Sequence, residues 1–586
     1  MKFILSYVKK YRGLILLTLV IKFLGTLGEL TLPYILEYLI DEVAPTKSLE
    51  TALFWGGIMV IMARVTRILN VAANRRGSRT AQKVTYEIRR DLFYHSIHLS
   101  GSQMDAFGLP SITSRMTSDS YNIQSFIRSM LAMGVRAPIL LIGGIGITLT
   151  MDVGMAMVLC IIAPIVIVCV VCLSWKGIPL FERVQRLLDK VVQVMRENIT
   201  GILVVKALSK EDHERARFSQ ANDDLTRAER TASTVMSLPG PVMTFFLNVG
   251  LTLVVLVGAH RVNAGIAKPG VILAFLTYFN LILGGAMGLN RIFMMMSKAN
   301  ASAYRIAEVV KAPRELTPLP QDQAATTESN AHIVFDHVSF GYNKDSTGAG
   351  SLHFDGGDRQ MSLNDIHFTI EKGGSLGIIG ATCSGKTTII NLLMRFYDTT
   401  EGHIFLGGKD IRTYDLQQLR QMFGVVFQND VIFASTIEEN IRFGRDISQE
   451  AMENAAKDAC AAQFISEYDD GYAHPAAIHG ANFSGGQKQR LLISRALAAK
   501  PDILILDDAS SALDYKTDAA LRKAIREHHK SSTTIIIAQR ISSIMTLDKI
   551  LMLDEGRILG YGTHEELLKS CPAYRSIYEA QMGEGE

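Results

Sequence analysis

The sequence has almost no net charge: 60 lysines and arginines stand against 57 aspartates and glutamates, a balance of +3. A protein that binds nucleic acid needs a far larger positive excess, so this class is excluded. Cysteine is also scarce, with six residues that show neither metal-ligand spacing nor a paired framework. Residues 1–7 lack a small-residue cleavage site after a short apolar run, and we therefore expect no removable signal peptide.

Apolar residues make up 48% of the chain and crowd into its first half. The length of 586 residues is too great for one ordinary core, so at least two domains are expected. Apolar helices of about 20 residues are long enough to cross a hydrocarbon layer of about 30 Å. Six such spans are predicted, at residues 14–39, 52–74, 128–150, 154–175, 240–260 and 269–291. They exclude a purely soluble enzyme and indicate a transmembrane α-helical bundle within a lipid bilayer.

The loops between these spans differ in charge. The loops between the first and second spans and between the third and fourth spans are short, whereas residues 75–127 and 176–236 carry most of the lysine and arginine of this half. Because cationic loops stay on the cytosolic side, both long loops, both termini and the whole second half are predicted to be cytosolic. The chain is therefore expected to be a multi-pass protein of the cell membrane, with residues 1–12 as an amphipathic segment along its inner surface.

The composition changes after the last span. Residues 313–331 are rich in Pro, Gln, Thr and Ser, which is typical of a linker. Beyond them, short apolar strands alternate with helical stretches, as in an α/β domain with a largely parallel sheet. The strands are expected at 333–335, 375–379, 503–506 and 534–538. The predicted domains are a membrane domain (1–312), a linker (313–331) and an α/β domain (332–586).

A glycine-rich loop gives the strongest chemical signal. Residues 380–387 read Gly-Ala-Thr-Cys-Ser-Gly-Lys-Thr and match the phosphate-loop pattern G-x-x-x-x-G-K-[ST]. The loop follows a predicted strand and opens a helix, a setting in which backbone N–H groups cradle phosphates. Lys386 is expected to reach the β and γ phosphates and Thr387 to bind Mg²⁺. A second strand, ending at Asp507, would deliver a carboxylate beside the loop and the metal.

Another glycine-rich segment, residues 483–490, contains Ser484, Gly485, Gly486 and Gln487 at the start of a predicted helix. Taken alone, it is either a further anion site of backbone amides and a hydroxyl or a mere helix cap. Together with the phosphate loop and the six spans, it makes the chain resemble an ATP-binding cassette (ABC) exporter. The resemblance covers essentially the full length and is to the half-transporter form, with six spans followed by one cassette.

The resemblance implies ATP and Mg²⁺ as cofactors and a head-to-tail dimer with a second half-transporter. Each ATP would lie between one chain's phosphate loop and the other chain's Ser-Gly-Gly-Gln. By the same resemblance Tyr342 stacks on adenine, Gln428 lies near Mg²⁺, and residues 511–514 communicate between cassettes. The implied nucleotide-binding residues are Tyr342, Gly380, Cys383, Ser384, Gly385, Lys386, Thr387, Thr388, Gln428 and Asp507, of which Thr387, Gln428 and Asp507 serve the metal.

The two long cationic loops resemble the coupling loops of such exporters. In the second loop, the resemblance rests on residues 201–207 followed by Glu211 and Glu214. As helices of alternating charge, both loops have a simpler interpretation as solvated surface.

Several positions depart from the family pattern. Asp508 stands where a glutamate usually polarises the attacking water, and its side chain is about 1.5 Å shorter. Gln539 replaces a histidine that contacts the γ-phosphate, and it cannot become cationic. Cys383 replaces a glycine, which strains the loop if that position needs a positive φ. Residues 476–480 also lack the usual glutamate. With Asp508 and Gln539 at the catalytic positions, the chain is expected to bind ATP but to hydrolyse it slowly.

The chain thus combines a substituted catalytic site with a complete Ser-Gly-Gly-Gln segment. By resemblance to asymmetric exporters, this combination predicts a heterodimer, in which the segment containing Ser484 completes a competent site on the partner's phosphate loop. The transported substrates are expected to be small amphiphiles such as drugs, lipids or peptides. One alternative is a homodimeric lipid or drug flippase with slow but self-sufficient hydrolysis. Another is a nucleotide-sensing regulatory membrane subunit, although intact coupling loops and a complete Ser-Gly-Gly-Gln argue against it.

Charged residues inside the spans suggest a substrate cavity. Ionisable side chains in spans usually face a bundle interior or a wet cavity. A cationic ring would favour substrates with an acidic group, whereas Glu29 would pair with a cation or meet a cationic drug. The alternative is snorkelling to the interface. The residues concerned are Lys22, Glu29, Arg64, Arg67 and Arg136. Finally, an insertion at 343–362 forms either a hairpin near adenine or a disordered loop.

Overall fold

The computed structural model describes residues 1–46, 48–313, 316–343 and 359–583. Two compact units are present: the first comprises Met1–Ser96 and Thr113–Lys311, and the second comprises Ile97–Ile112 and Ala312–Glu586. Most of the predicted insertion, residues 344–358, lies outside the described residues.

The first unit is a bundle of long helices, because its apolar runs contain few residues that break a helix. Even Pro33 and Pro164 lie inside helices that continue past them. In chain order the helices are α1 Lys2–Lys9, α2 Arg12–Tyr38, α3 Leu49–Ser96, α4 Gly101–Phe107, α5 Leu109–Ser114, α6 Ser120–Met133, α7 Arg136–Pro138, α8 Gly144–Met151, α9 Val153–Thr200, α10 Ile202–Ala207, α11 Glu211–Ser237, α12 Pro239–Asn263 and α13 Pro269–Lys311, of which α4 and part of α5 belong to the second unit.

Among the described residues, five helical stretches are long and apolar enough to cross a membrane: Arg12–Thr46, Leu49–Ser96, Leu109–Met151, Glu211–Asn263 and Pro269–Lys311. They contain five of the six predicted spans, including the one interrupted by Arg64 and Arg67. The remaining predicted span, 154–175, lies within α9, where Val153–Val166 forms a shorter apolar helix. That span stays a prediction, while the helical membrane bundle is confirmed.

The second unit is built on two sheets. Its strands are β1 Ile333–Asn343, β2 Arg359–Ile370, β3 Ser375–Gly380, β4 Glu401–Leu406, β5 Lys409–Asp410, β6 Phe423–Val426, β7 Ile503–Asp507, β8 Thr533–Ile537, β9 Lys549–Asp554 and β10 Arg557–Gly562. The larger sheet has the order β10-β9-β3-β8-β7-β6 and is parallel except for β10. This sheet confirms the predicted α/β architecture.

The smaller sheet, with the order β2-β1-β4-β5, is antiparallel. The sequence predicted β1 only as a short strand at 333–335, whereas it extends to Asn343. Three shifts in its register with β2 interrupt the alternation of side chains, so a period-two pattern does not reveal the rest of this strand.

Helices cover the larger sheet and bury its apolar strands. Every residue of β7 and β8 is buried, as expected for parallel strands packed on both faces. The helices of the second unit are α14 Lys386–Leu393, α15 Leu416–Gln421, α16 Ile437–Arg442, α17 Gln449–Asp458, α18 Ala462–Ile465, α19 Gly485–Leu497, α20 Tyr515–His528, α21 His564–Ser570 and α22 Pro572–Met582. The carboxyl ends of β3, β7 and β8 meet at one edge, where ligands bind in open α/β sheets.

Candidate active site

The phosphate loop joins the end of β3 to the start of α14, as the motif predicts. Gly385 has a φ of +99°, and a Cβ added there would lie 2.5 Å from Leu363 Cδ2. Only glycine fits such a position, because both the backbone conformation and the space exclude a side chain. Nζ of Lys386 donates hydrogen bonds to the carbonyl oxygens of Gly380 (3.1 Å) and Ala381 (2.6 Å). The lysine therefore lies along the loop that would surround a phosphate.

Cys383 has a φ of +65° and an exposed side chain. This is the left-handed region, which disfavours a residue with a Cβ by roughly 1–2 kcal/mol. We expected strain if position 383, where the family usually has glycine, has a positive φ. Its φ is positive, so the phosphate loop holds a strained residue at this position.

At the metal end of the loop, Thr387 Oγ1 donates a hydrogen bond to Asp507 Oδ2 at 3.3 Å. Burial raises the pKa of the Asp507 carboxyl, while the hydrogen bond from Thr387 and the charge of Lys386 oppose that shift. Hydroxyl and carboxylate oxygens are the ligands that Mg²⁺ prefers. This pair, brought together across 120 residues of sequence, therefore fits a bound Mg²⁺.

The two substituted catalytic positions are in contact. Gln539 Nε2 donates a hydrogen bond to Asp508 Oδ2 at 3.2 Å. Burial raises the pKa of the Asp508 carboxyl against the charges of Lys386 and Arg540. Asp508 itself has a φ of +51°, and its backbone N–H donates to Ile537 O at 3.0 Å. This hydrogen bond holds the Asp508 backbone against β8 and so sets the position from which its short side chain extends.

A cleft of about 750 Å³ opens around these groups. All ten predicted nucleotide-binding residues line it, as do Asp508 and Gln539. Tyr342 is half-buried there, with its ring edge-on to Tyr397 at 5.3 Å and its hydroxyl 3.4 Å from Thr388 Oγ1. Sequence reasoning missed further lining residues from β10 and α22, which no motif marks: Leu559, Ala573, Ser576 and Ile577.

The Ser-Gly-Gly-Gln segment opens α19, and Ser484 forms a capping box with Gln487. Ser484 Oγ accepts from Gln487 N (3.3 Å), and Gln487 Oε1 accepts from Ser484 N (2.8 Å). The described residues lining the cleft include none from 484–487. Farther along α19, Gln489 holds the 511–514 loop through Ser511 Oγ (3.1 Å) and Ala512 N (3.0 Å). The segment therefore lies outside its own chain's phosphate cleft.

Part of the first long loop folds with the second unit. Gly101 N donates to Phe396 O at 3.2 Å, and the Tyr397 hydroxyl donates to Asp105 Oδ2 at 2.6 Å. These contacts link α4 to the segment after α14. Sequence reasoning did not single out either residue of the Tyr397–Asp105 pair, since they stand 292 positions apart.

In the second long loop, residues 201–207 form the short helix α10, as part of the first unit. Leu203 on this helix is 79% exposed. Glu214 Oε2 accepts a hydrogen bond from Asn198 Nδ2 at 2.8 Å, and Glu211 begins α11. The coupling role of this loop stays a prediction.

The charged residues of the spans are only partly brought together. Glu29 Oε2 accepts from Arg136 Nε at 3.0 Å, and Glu29 Oε1 accepts from Asn70 Nδ2 at 3.1 Å. Lys22 is buried and donates to Asn70 (2.8 Å) and Asn74 (3.2 Å). Sequence reasoning missed both asparagines, although amides four residues apart in an apolar run are a detectable signal.

Arg64 and Arg67 do not join this network, because their side chains are exposed on α3. Of the predicted substrate-cavity residues, the structure therefore assembles Lys22, Glu29 and Arg136. Two cations and one anion meet there rather than a uniform cationic ring.

Comparison with known proteins gives a consistent identification. The family models that match are the ABC transporter transmembrane region, over residues 15–287, and ABC transporter, over residues 363–511. An uncharacterized ABC transporter ATP-binding protein of Mycobacterium tuberculosis is 31% identical over 580 residues, covering 98% of this chain and 97% of the relative. The uncharacterized ABC transporter ATP-binding protein YfiB of Bacillus subtilis is 32% identical over 580 residues, covering 99% of this chain and 98% of the relative.

Among solved structures, a bacterial Atm1-family ABC exporter with ATP bound has a similar fold, with a TM-score of 0.80. Its sequence is 24% identical, and the match covers 98% of this chain and 99% of that one. The same family is indicated by the transmembrane helices, by the phosphate loop and by the relatives at 31–32% identity. The chain belongs to the ABC transporter family and joins a transmembrane region to its own ATP-binding cassette.

Proposed function

We propose that the chain is one subunit of a heterodimeric exporter that moves amphiphilic substrates out of the cytosol or the inner leaflet. In this proposal both termini and the cassette are cytosolic. ATP binding closes two cassettes against each other and turns the membrane helices outward, because ATP has a higher affinity for the closed dimer. Hydrolysis at the partner's site then resets the transporter.

The nucleotide occupies the cleft around the phosphate loop. Lys386, which now donates to loop carbonyls, turns to the β and γ phosphates. Thr387 and Asp507 supply oxygen ligands to Mg²⁺, with Gln428 at the same end of the cleft. The metal, when bound, neutralises charge on the phosphates. The adenine stacks on Tyr342.

The observation that carries the proposal is the contact between Asp508 and Gln539. A general base must be within hydrogen-bond reach of its proton, and Asp508 is shorter than glutamate by about 1.5 Å. Its carboxylate is also engaged by an amide that cannot supply positive charge to the γ-phosphate. A misplacement of about 1 Å can reduce a rate by around 10²-fold. These features support slow hydrolysis at this chain's own site.

The second supporting observation concerns the Ser-Gly-Gly-Gln segment. It retains the full family pattern, with its amides at the N-terminus of α19, yet it is absent from the described lining of its own cleft. The segment around Ser484 would therefore serve ATP on the partner's phosphate loop. A partner that carries a glutamate at the position of Asp508 would hydrolyse that ATP.

For the substrate, the polar network of the first unit supports a preference for acidic groups. Lys22 and Arg136 bring two positive charges against the single carboxylate of Glu29, so the group has a positive balance. Replacing Lys22 and Arg136 with neutral residues should weaken transport of anionic amphiphiles more than that of cationic ones. Equal loss for both classes would contradict this preference.

The test is steady-state ATP hydrolysis of this chain alone and together with the half-transporter encoded beside it. We expect activity in the pair that is lost on Ser484→Ala and on removing the partner's glutamate, and that is largely kept on Asp508→Ala. Robust turnover by this chain alone would overturn the heterodimer proposal in favour of a homodimer. The Lys386→Ala variant of the isolated chain identifies contaminating activity, because it removes the contact to the phosphates.

A further inference from the structure

A cluster of histidine and aspartate side chains lies on the antiparallel sheet of the cassette. Asp336 and His337 belong to β1, and Asp365 and His367 belong to β2. None of these four residues is among the described residues that line the nucleotide cleft. The proposed function therefore gives this cluster no role.

A β-bulge creates the cluster. In the pairing of β1 with β2, Phe335 faces Phe368 and Val338 faces Ile366. Two residues of β1 therefore face the single residue His367 of β2, and the extra residue adopts a different backbone conformation. His337 has a φ of +48°, in the left-handed region that few non-glycine residues adopt, although histidine is among those enriched there. Bulges re-aim side chains in this way, and often do so at functional sites.

The side chains are close enough to share a metal ion once one imidazole turns, because the rings of His337 and His367 are stacked with centroids 5.0 Å apart and their planes 24° apart. One ligand atom from each of Asp336, His337 and His367 lies within 4.8 Å of the others. Nδ1 of His367 is 3.5 Å from Oδ1 of Asp336. Zinc bonds of about 2.0 Å in a tetrahedron place neighbouring ligand atoms about 3.3 Å apart. In the part of the chain that the structure describes, no other group of three such residues meets the 4.8 Å spacing.

A fourth residue orients one of the rings. Nδ1 of His337 is 2.6 Å from Oδ1 of Asp365. Because a carboxylate accepts hydrogen bonds, this contact places a proton on Nδ1, and in the neutral ring Nε2 then keeps the lone pair that binds a metal. Histidine ligands of metals commonly donate their other ring nitrogen to a carboxylate in this way.

We propose that Asp336, His337 and His367 form a binding site for a divalent transition-metal ion of the zinc class, with Asp365 as the orienting carboxylate. Two imidazoles and a carboxylate are a common ligand set for Zn²⁺ and leave a fourth position for water. His337 is 69% exposed and His367 54% exposed in their side chains, so an ion can enter from solvent. The bound ion would tie β1 to β2 ahead of Tyr342.

The alternative is that these histidine–aspartate pairs only stabilise the sheet through their charges, but this explains fewer of the observations. Exposed histidine–aspartate pairs contribute little to stability, and a pair of that kind does not require a histidine at positive φ. Asparagine adopts that conformation more readily. His337→Asn therefore removes a ligand without straining the bulge, and His367→Thr places a good strand former in β2.

The experiment uses the full-length chain purified without a polyhistidine tag, stripped of metal and kept in excess Mg²⁺. Zn²⁺ is titrated by calorimetry, and Co²⁺ by visible absorption, which reports ligand geometry. We expect one site per chain with a micromolar dissociation constant. The double variant His337→Asn/His367→Thr should weaken binding at least tenfold and abolish the Co²⁺ bands. Asp365→Asn should weaken it about tenfold, as loss of an orienting partner does.

The matched control is His528→Asn/His529→Asn. These two histidines also share an aspartate, Asp458, at 2.7 Å and 3.1 Å, but they are not part of the spaced cluster. Zn²⁺ affinity should be unchanged in this control. No binding by the wild-type chain, or equal binding by His337→Asn/His367→Thr, would overturn the proposal. Asp336→Asn gives an independent variant: its full retention of affinity would exclude Asp336 as a ligand.

Discussion

Asp508 and Gln539 are hydrogen-bonded to each other, with Gln539 Nε2 donating to Asp508 Oδ2 at 3.2 Å. Asp508 follows β7 and Gln539 follows β8, and these strands are parallel neighbours in the sheet. Parallel pairing thus brings together two side chains 31 residues apart. Because each engages the other, the two departures from the family pattern act as one feature of the site.

The first prediction concerns this pair. Asp508→Glu combined with Gln539→His should raise ATP turnover at this chain's own phosphate loop by up to about 10²-fold. The longer carboxylate would reach the attacking water, and histidine could carry positive charge to the γ-phosphate. The measurement is single-turnover hydrolysis in the pair, with the partner's site inactivated. Each single variant should gain less than the double one; no gain in the double variant would place the defect elsewhere, with Cys383 as the next position to change.

The second prediction concerns strain in the phosphate loop. Cys383→Gly should stabilise the chain by about 0.5–1 kcal/mol, because glycine tolerates the φ of +65° while adding some entropy to the unfolded state. Thermal unfolding of the full-length chain measures the effect. Cys383→Ala is the matched control, since it removes the thiol but keeps the strain. An equal gain in the alanine variant would show that the thiol, rather than the backbone, is responsible.

The third prediction concerns α4 and its hydrogen bond to the cassette. Tyr397→Phe removes the donor to Asp105 while retaining the ring, which packs 5.5 Å from Phe340. We expect weaker stimulation of ATP hydrolysis by transported substrate, with basal hydrolysis unchanged. The ratio of stimulated to basal rates in the pair is the readout. Tyr414→Phe, which removes a 2.8 Å bond to Leu406 O elsewhere in the cassette, should leave that ratio intact; a similar fall would mean general damage.

The fourth prediction concerns the ion pair between Glu29 and Arg136. Glu29→Gln and Arg136→Gln should each destabilise the membrane unit, because either change leaves its charged partner unpaired. The double variant should lose less than the sum, with a coupling free energy of roughly 0.5–2 kcal/mol. Thermal unfolding of the four forms completes the cycle. Arg64→Gln, at an exposed side chain, should change the midpoint little, and strict additivity of the two Glu29 and Arg136 effects would argue against the pair.

Local sequence was informative where a motif is contiguous. The phosphate loop between β3 and α14, the strand ending at Asp507 and the helix opening at Ser484 were all predicted, because each depends on near neighbours in the chain. The family resemblance indicated strain at Cys383 if that position has a positive φ, and its φ is +65°. By contrast, β1 was predicted too short, since bulges interrupt the alternation on which strand prediction depends.

The sequence by itself determined the helical membrane bundle, the α/β architecture and the places of the glycine-rich motifs, because apolar length, periodicity and short spacings are local properties. Only the tertiary structure decided which distant groups meet: Asp508 with Gln539, Tyr397 with Asp105, Glu29 with Arg136, and His337 with His367. These contacts depend on strand order, bulges and helix packing. Such features arise from the burial of the whole chain, and no single segment encodes them.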